Sequence, residues 1–425
     1  MPPIGQQNAL TRFRRVPVKR RDPYGSTPNV GERGANTHRR ILEAALIVFA
    51  EHGFHDTQVE MITEAAGCSR PAFYQYFSNK EDVFWRLANE LSSAMDDLAN
   101  TVGRSTPDVA GLVRTRAWFE GLIDVYTTYH PVFQVYPAAS SGPSRTSMGS
   151  RKVSERIGAK IAPRLPSPAL LLPILHRSTH YWRTGVGGIP KSRFVEAAAR
   201  TLHRIQHGAI RGVNIGPVVK APPRRVPGFP ASPEAAEPPK QGRGRDTRAS
   251  LLASAGAVLP SHGYHGTRVD DIVAHAGVSH GTFYRYFSSK DDVFRVLAEG
   301  AARSMFDLVN DFPDDVSGPD LERWLGRWFD QYWAHGGVIS AWQEIEYDDA
   351  ELGRFSIDVA IAVFDRMCRV VHRRGFGDSI VDGLVLLAVL ERVPYSVRMF
   401  GRIGRDEAIA TTATVIRQGI LGVVL

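Results

Sequence analysis

The feature of this sequence that most constrains its fold is a segment that occurs twice, at residues 53–90 and again at residues 263–300. The two copies are offset by 210 positions (263 − 53), and the offset continues without a gap to Leu98 and Leu308. A chain of 425 residues has room for about two to three domains. A self-similarity of this length predicts one structural unit that is used twice.

The first part of each copy predicts a short helix. Thr57-Gln-Val-Glu60 fits the capping box, in which a hydroxyl and an acid satisfy the first free amide groups of a helix. Thr267-Arg-Val-Asp270 repeats this pattern in the second copy. Apolar residues then follow at helical spacing, and Gly67 supplies the stop.

A second short helix is predicted directly afterwards. Ser69, and Ser279 in the second copy, can cap its first turn. Phe73 and Phe77 lie four residues apart and predict a buried face, which turns the other side chains outward. Ser78 begins a third capping box, which opens a long helix. Two short helices across a turn, the second with an exposed aromatic and polar face, indicate a helix-turn-helix (HTH).

Both copies follow the pattern G-F/Y-x-x-T-x-V-x-x-I-x-x-x-A-G-x-S-x-x-x-F-Y-x-Y-F-x-x-K-x-D. This pattern resembles the DNA-binding domain of the tetracycline-repressor (TetR) family of bacterial regulators. The resemblance implies an all-α fold with two TetR-like units, each an N-terminal three-helix HTH DNA-binding domain followed by a C-terminal helical regulatory domain. It also implies that the two units pack on each other as an intramolecular pseudo-dimer, which relatives build from two chains.

Composition and the repeat together predict six segments. Two are rich in proline and arginine, namely a flexible basic arm at 1–35 and a linker at 216–245. The other four are HTH domain 1, helical regulatory domain 1, HTH domain 2 and helical regulatory domain 2, at residues 36–98, 99–215, 246–308 and 309–425. The arm either adds phosphate or minor-groove contacts or is a solvated tail, and the sequence leaves both interpretations open.

The resemblance assigns contacts with double-stranded DNA to matching positions of the two copies. Phosphate contacts are implied for Thr57, Tyr74, Lys80, Thr267, Tyr284 and Lys290. Beside the capping serines Ser69 and Ser279, base contacts are implied for Arg70, Ala72, Gln75, His280, Thr282 and Arg285. Glutamine suits adenine and arginine suits guanine. The two HTHs are therefore expected to read unlike half-sites of an imperfect palindromic operator, about 34–36 Å or a similar multiple apart.

Aromatic residues recur at helical spacing beyond each HTH. In the family this helical region holds a ligand pocket, which here would take a small apolar or amphipathic effector. The candidate lining residues are Trp118, Leu122, Tyr126, Trp324, Trp328, Tyr332 and Trp342. The alternative is that these residues are plain helical core, and their spacing alone leaves this open.

Some helix boundaries can also be predicted. Pro260 stands in the first helix of the second HTH, where the first copy has Ala50. A proline inside a helix costs about 3 kcal/mol or more, so this helix is expected to end early or kink. Each unit should close with two helices, near residues 169–184 and 191–212 in the first and 379–399 and 405–421 in the second.

Charge and cysteine content restrict the class of protein. Basic residues exceed acidic ones by 52 − 44 = 8, which favours a polyanionic partner, although an arginine-rich composition without function gives the same balance. Cys68 and Cys368 form no disulfide framework and suit a reducing cytoplasm. Cys68 is either a thiol with a lowered pKa at a helix start or a small turn residue. Residues 1–40 lack the apolar core of a secretory signal, and apolar runs are too short for a membrane helix.

Enzymatic function is not supported. The chain has no G-x-x-x-x-G-K-S/T, H-E-x-x-H or C-x-x-C motif. The 14 histidines are scattered and no cluster of acids or thiols accompanies them. We therefore expect no catalytic residue, no metal and no cofactor.

Three functional hypotheses follow. The first is a ligand-responsive transcriptional repressor in the cytoplasm, in which an effector changes the spacing of the two HTHs. The second is a DNA-binding or architectural protein without an effector. The third is a protein-interaction adaptor whose HTHs no longer bind DNA, which the intact tyrosines and lysines in both copies disfavour. Further association of two chains is left open.

Overall fold

The computed structural model of the chain describes residues 32–103, 105–139, 145–210, 212–213, 243–345, 350–374, 376–400 and 403–422. These residues form α-helices joined by turns, with no β-strand among them, which confirms the all-α prediction. Most of the predicted arm and linker lies outside the described residues. The last residues of both segments are helical, because one helix begins at Glu32 and another at Arg243.

The first repeat forms eight α-helices within its described residues. They are α1 (Glu32–Asp56), α2 (Val59–Ala65), α3 (Arg70–Tyr76), α4 (Lys80–Asn100), α5 (Val109–Ala139), α6 (Arg145–Ile161), α7 (Leu171–Arg183) and α8 (Lys191–His207). A short 3-10 turn, Pro168–Leu170, leads into α7. Helix α8 ends five residues before its expected end because Gly208 adopts a φ of 78°.

The second repeat forms nine α-helices within its described residues. They are α9 (Arg243–Gly266), α10 (Val269–Ala276), α11 (His280–Tyr284), α12 (Lys290–Asn310), α13 (Asp320–Ala334), α14 (Gly336–Ile345), α15 (Ala350–Arg374), α16 (Ser379–Phe400) and α17 (Arg405–Thr414). Helix α17 continues as a π-helical turn, Val415–Ile420. None of the helices that the structure describes is long and apolar enough to cross a membrane.

The two repeats share their irregularities as well as their helices. Helices α1 and α9 both break at a glycine, Gly53 with φ 73° and Gly263 with φ 65°, values that favour glycine. Helix α5 has a non-helical residue at Tyr129, and α13 ends at His335 with similar dihedral angles. These two positions are 206 apart (335 − 129). The same backbone feature therefore occurs in both repeats, at an offset of 206 rather than the 210 that separates the two HTHs.

The chain divides into two compact units, which are described separately. Of the described residues, the smaller unit comprises those within 32–102 and 120–153, and it contains the first HTH. The larger unit comprises the described residues within 103–119 and 154–422. It therefore contains the second HTH and the terminal helices of both repeats.

Aromatic packing holds the first HTH together in the smaller unit. Phe49, Phe54 and Phe84 lie in series, with ring centroids 5.3 and 5.2 Å apart, and join α1 to α4. Ile62 of α2 and Phe73 of α3 are fully buried in the same unit. The short helices α2 and α3 thus depend on the two longer helices for their position, because helices of seven residues are marginal alone.

Two apolar clusters hold the second HTH in the larger unit. One joins α9, α10, α11 and α12 through Leu251, Ile272, Phe283 and Val293. The other joins the same domain to α14 of the helical regulatory region, through the buried residues Leu259, Tyr264, Phe294, Ala298, Ala301, Val338 and Ala341. The second HTH is therefore packed directly on α14, a helix of the region predicted to be regulatory.

The expected disruption at Pro260 does not occur. Helix α9 runs through Pro260 and breaks only at Gly263, where the first repeat also breaks. The proline ring lies against Gly337 of α14, where an added Cβ would come within 2.5 Å of the Pro260 Cγ. A glycine on the neighbouring helix therefore makes room for the ring, and the prediction of an early end was wrong.

The terminal helices of the two repeats pack on each other inside the larger unit. Helix α7 lies along α16, while α8 packs on α16 and on the π-helical turn that follows α17. The backbone amide of Ser167, just before α7, donates to the hydroxyl of Thr411 on α17 at 2.9 Å. These contacts join residues that are far apart in the chain, from 178 positions for Arg204 and Asp382 to 244 for Ser167 and Thr411.

An ion pair is enclosed in this packing. Arg204 of α8 donates to the Asp382 carboxylate of α16 at 2.9 Å, and both side chains are 1 % exposed. The same guanidinium donates to the Gly419 carbonyl at 2.6 Å, and the Thr201 hydroxyl donates to Asp382. Burial raises the pKa of Asp382 to about 6, while the Arg204 charge opposes that shift.

Candidate nucleic-acid interface

The first HTH places a short helix with one buried and one exposed face. The Ser69 hydroxyl accepts a hydrogen bond from the Ala72 amide at 3.3 Å and so caps α3, as the sequence predicts. Phe73 and Phe77 are 0 % and 2 % exposed and fix the inner face of the helix. The opposite face is consequently held toward solvent.

The exposed faces of α3 and α11 match position by position. Tyr74 is 54 % exposed and Tyr284 is 57 % exposed, which is unusual for large hydrophobic side chains in this protein. Around them, Arg70, Gln75, His280 and Arg285 are exposed, whereas Ala72 and Thr282 are half-buried. Each HTH thus presents an aromatic ring flanked by polar groups, and these flanking groups differ between the two copies.

A side-chain contact with an acid, which the sequence did not predict, crosses each HTH. The Arg70 guanidinium contacts the Glu60 carboxylate, and the His280 ring contacts the Asp270 carboxylate. In both copies the first residue of the second HTH helix reaches an acid ten positions earlier. All four side chains are well exposed. Such pairs are worth about 0–1 kcal/mol, so another anion can replace the carboxylate at little cost.

The predicted lysines and threonines support the turn between the first two helices. Lys80 donates to the carbonyl oxygens of Phe54 and Thr57, both at 2.8 Å, and its ammonium lies 5.0 Å from the centre of the Phe54 ring. The Thr57 hydroxyl is buried and donates to the Gly53 carbonyl at 2.6 Å. Burial lowers the pKa of Lys80.

The second HTH repeats this arrangement. Lys290 donates to the carbonyl oxygens of Tyr264 at 2.9 Å and Thr267 at 3.1 Å, and Thr267 donates to the Gly263 carbonyl. The phosphate contacts implied for these lysines and threonines stay a prediction. In the protein without DNA their polar groups hold the loop in front of α2 and α10.

All of the predicted capping boxes are displaced by one residue. Helix α2 has Gln58 at its N-cap and α10 has Arg268, because the threonine hydroxyls donate backward to the glycine carbonyls instead. The third box begins at Asn79 and Ser289, whose side chains accept from amides of the first turn. The helices therefore start where the pattern indicates, but the capping residues differ from those expected.

Ser279 has a structural role. The segment Gly277-Val-Ser-His-Gly281 also fits G-x-S-x-G, a pattern in which a strand-to-helix turn exposes a nucleophilic serine. Here the segment joins two helices, and the Ser279 hydroxyl accepts from the Thr282 amide at 3.2 Å. Ser279 therefore caps α11, as Ser69 caps α3.

Burial raises the pKa of the Cys68 thiol, which favours its interpretation as a turn residue.

The aromatic residues proposed to line a ligand pocket are buried as packed core. Trp118, Leu122, Tyr126, Trp324, Trp328 and Tyr332 are all buried, and the side chain of Trp342 lies outside the described residues. The indole groups of Trp324 and Trp328 donate to the carbonyls of Leu308 and Leu390. The buried Tyr332 hydroxyl lacks a hydrogen-bond partner among the described residues, so it is the polar group of this stripe that a ligand could still engage.

A surface pocket of about 200 Å³ lies between the end of α12, the loop after it and α15. Val309, Phe312 and Val370 form apolar wall, and the rim carries Arg366, Arg369 and Arg373. The Arg366 guanidinium lies 3.6 Å from the centre of the Phe306 ring and donates to Asn310, but its Nη1 has no partner among the described residues. Asp314 also lines the pocket and lies 3.5 Å from Arg373, so the pocket combines apolar surface with cationic donors and one carboxylate.

Comparison with known proteins places both HTHs in a family. The family model described as "Bacterial regulatory proteins, tetR family" matches residues 41–87 and residues 251–297. The two matches coincide with the two copies of the repeat. The tandem arrangement predicted from the sequence is confirmed.

Curated relatives of this chain are regulators of transcription rather than enzymes. An uncharacterized HTH-type transcriptional regulator of Bacillus subtilis is 35 % identical over 82 residues, which is 18 % of this chain. An HTH-type transcriptional repressor of Streptomyces coelicolor is 32 % identical over 108 residues, 25 % of this chain. The repressor AcnR of Corynebacterium glutamicum is 37 % identical over 73 residues, 17 % of this chain. The chain spans 42 %, 54 % and 39 % of the length of these relatives.

Proposed function

We propose that the protein is a sequence-specific DNA-binding regulator of transcription, because residues 41–87 and 251–297 match the family model of the tetR bacterial regulatory proteins. The observation that carries the proposal is the exposed face of α3 and α11, which pairs one solvent-facing tyrosine with polar side chains in both copies. Relatives named as repressors support repression as its action.

In this proposal α3 and α11 each enter a major groove. Tyr74 and Tyr284 contact phosphates, and the exposed polar side chains meet base edges. Arg70 and His280 reach the DNA by exchanging their weak pairs with Glu60 and Asp270 for contacts with phosphates or bases. The threonines and lysines at the preceding turn keep each helix at the angle that this docking needs, and they add phosphate contacts if the turn approaches the backbone.

We further propose that one chain acts as a pseudo-dimer. In symmetric regulators two identical HTHs bind two half-sites of a palindrome. Here the packing of α7 and α8 on α16 and on the π-helical turn after α17 is supplied by a single polypeptide. Since the base-contact sets of the two HTHs differ, the operator would be an imperfect palindrome.

Replacing Arg285 with glutamine tests this function directly. The variant copies Gln75 of the first HTH, so preference at one half-site should move from guanine toward adenine by about 1–3 kcal/mol, roughly 5- to 150-fold. The reciprocal variant Gln75→Arg should change the other half-site. Binding to selected DNA, footprinting and the mass of the complex measure both the preference and the number of chains. Equal changes in both half-sites, or two chains each using one HTH, would contradict the pseudo-dimer, and no footprint would favour the adaptor hypothesis.

The proposed repressor responds to an amphipathic effector. The arginine-rimmed pocket beside α12 fits such a molecule, because apolar wall and cationic donors lie together and α12 begins in the second HTH. Octanoate is a suitable probe. It should raise the thermal unfolding midpoint of the protein and weaken its footprint, while the variant Arg369→Gln/Arg373→Gln should lose both effects. An equal response in this variant would direct attention to Tyr332 instead. No response to octanoate in either protein would favour a regulator without an effector.

A further inference from the structure

The contact between the terminal helices of the two repeats contains three ion pairs of the same polarity. The first repeat supplies the arginine and the second repeat supplies the acid in each of them. The pairs are Arg204–Asp382 at 2.9 Å, Arg177–Glu391 at 2.8 Å and Arg193–Asp378 at 2.8 Å. Arg204 and Asp382 are fully enclosed, and Arg177 and Glu391 are 11 % and 16 % exposed. In these three pairs the first repeat supplies the cations and the second the anions, while Arg392 of α16 adds a positive charge near His176 and His180.

The shapes of the two faces also differ at their centre. Helix α8 ends at Gly208 and the π-helical turn after α17 is followed by Gly422, both with positive φ, so the two helices align with an offset of 214 (422 − 208). Ile205 then corresponds to Gly419. These two equivalent residues touch, because a Cβ at Gly419 would lie 2.4 Å from the Ile205 Cγ1. Contact between equivalent residues marks a local twofold axis.

The axis thus has an isoleucine on one side and a space for it on the other. If two first repeats were paired, two isoleucines would meet in the room that now holds one, and such overpacking is destabilising. Arg204 would also lose its partner. In such a pair, residues 168–183 of the other first repeat would take the place of α16, and they contain no aspartate or glutamate. A buried guanidinium without a counter-charge is strongly unfavourable.

Pairing two second repeats would fail for the opposite reasons. Two glycines at the axis would leave a cavity. The residues that correspond to Arg204 and Arg193 are Gln418 (204 + 214) and Glu407 (193 + 214). Asp382 would then be buried without a cation, and Asp378 would face another acid.

We propose that these two faces are complementary to each other and exclude a second copy of themselves, so that the first repeat selects the second repeat of its own chain as its partner. The selection is carried by the Ile205–Gly419 contact and by the polarity of the three ion pairs. It rests on packing and charge alone and would hold even if neither HTH bound DNA. Its consequence for a regulator is that every assembled particle presents two unlike HTHs.

Disulfide trapping in the full-length chain tests the proposal. The Ile205 Cγ1 is one bond from its Cβ, so the two Cβ atoms at positions 205 and 419 lie within about 4 Å, suitable for a disulfide. In a parent carrying Cys68→Ser and Cys368→Ala, we compare three variants, namely Ile205→Cys, Ile205→Ala/Gly419→Cys, and Ile205→Cys/Gly419→Cys. Mass under non-reducing conditions, with circular dichroism to check the fold, gives the result.

The double-cysteine variant should form a disulfide at the mass of one chain, in at least tenfold excess over any two-chain product. The two single-cysteine variants should form no two-chain product. A two-chain disulfide from either single-cysteine variant would show self-pairing of one face and overturn the proposal. A two-chain product as the main species of the double variant would overturn pairing within one chain, and no disulfide in a folded double variant would overturn the axial contact. DNA binding enters none of these readouts, so failure here is distinguishable from failure of the proposed function.

Discussion

Replacing Asp382 with asparagine is expected to lower the free energy of unfolding of the larger unit by about 3–5 kcal/mol. The substitution keeps the shape of the side chain but leaves the Arg204 guanidinium buried without a counter-charge. The neighbouring acceptors, the Gly419 carbonyl and the Thr201 hydroxyl, are neutral and cannot replace the carboxylate. Denaturant unfolding followed by helical circular dichroism measures the loss as a shift of the transition midpoint.

Asp406→Asn is the matched control, because the Asp406 side chain is fully exposed on α17. It removes the same charge and should change stability by no more than about 0.5 kcal/mol. Equal effects of the two substitutions would mean that the Arg204–Asp382 pair contributes nothing beyond net charge. An Asp382→Asn protein as stable as the parent would mean that water reaches Arg204 in solution.

Replacing Phe283 with alanine should remove the second HTH from DNA while the first still binds. Phe283 is 0 % exposed and contacts the core formed by α9, α10 and α12, and truncation of such a phenylalanine costs about 3–5 kcal/mol. Helix α11 has only five residues and cannot stay ordered without that anchor. Footprinting should therefore show protection of one half-site only, and Phe73→Ala should leave only the other half-site protected.

Tyr284→Ala controls for the loss of an aromatic ring beside Phe283. The Tyr284 side chain is exposed, so its removal should leave stability within about 0.5 kcal/mol of the parent while DNA affinity falls. If Phe73→Ala and Phe283→Ala abolished protection of the same half-site, or if either abolished both equally, the assignment of one HTH to each half-site would be wrong.

Local patterns in the sequence predicted what depends on neighbouring residues. The burial of Phe73 and Phe77 follows from helical spacing, and capping by Ser69 and Ser279 follows from a hydroxyl placed before a short helix. The repeat supported these predictions, because the same pattern recurs 210 positions later in the second copy. For these reasons both HTHs could be recognised from the sequence alone.

Features that depend on competition between partners were not predictable in this way. The Thr57 hydroxyl could either cap α2 or donate to the Gly53 carbonyl. In the structure it donates to Gly53, where α1 breaks. The two carbonyl oxygens that hold the Lys80 ammonium at the turn were not predicted, and its phosphate contact stays a prediction. No short-range pattern connects Arg204 with Asp382, which are 178 residues apart. The aromatic stripes fit both a pocket and a core; their described side chains are buried, and contact with a ligand stays a prediction.

The distance along the chain between Arg204 and Asp382 also sets an order of events during synthesis. At about 5–20 residues per second, the 178 residues between them take roughly 9–36 s to be made. During that interval the first HTH can fold, but the α7–α8 face has no partner, and neighbouring nascent chains offer only the same cationic face. Electrostatic repulsion between these unpaired α7–α8 faces would keep nascent chains on the same polysome apart. The chain then closes on itself when its own last helices leave the ribosome.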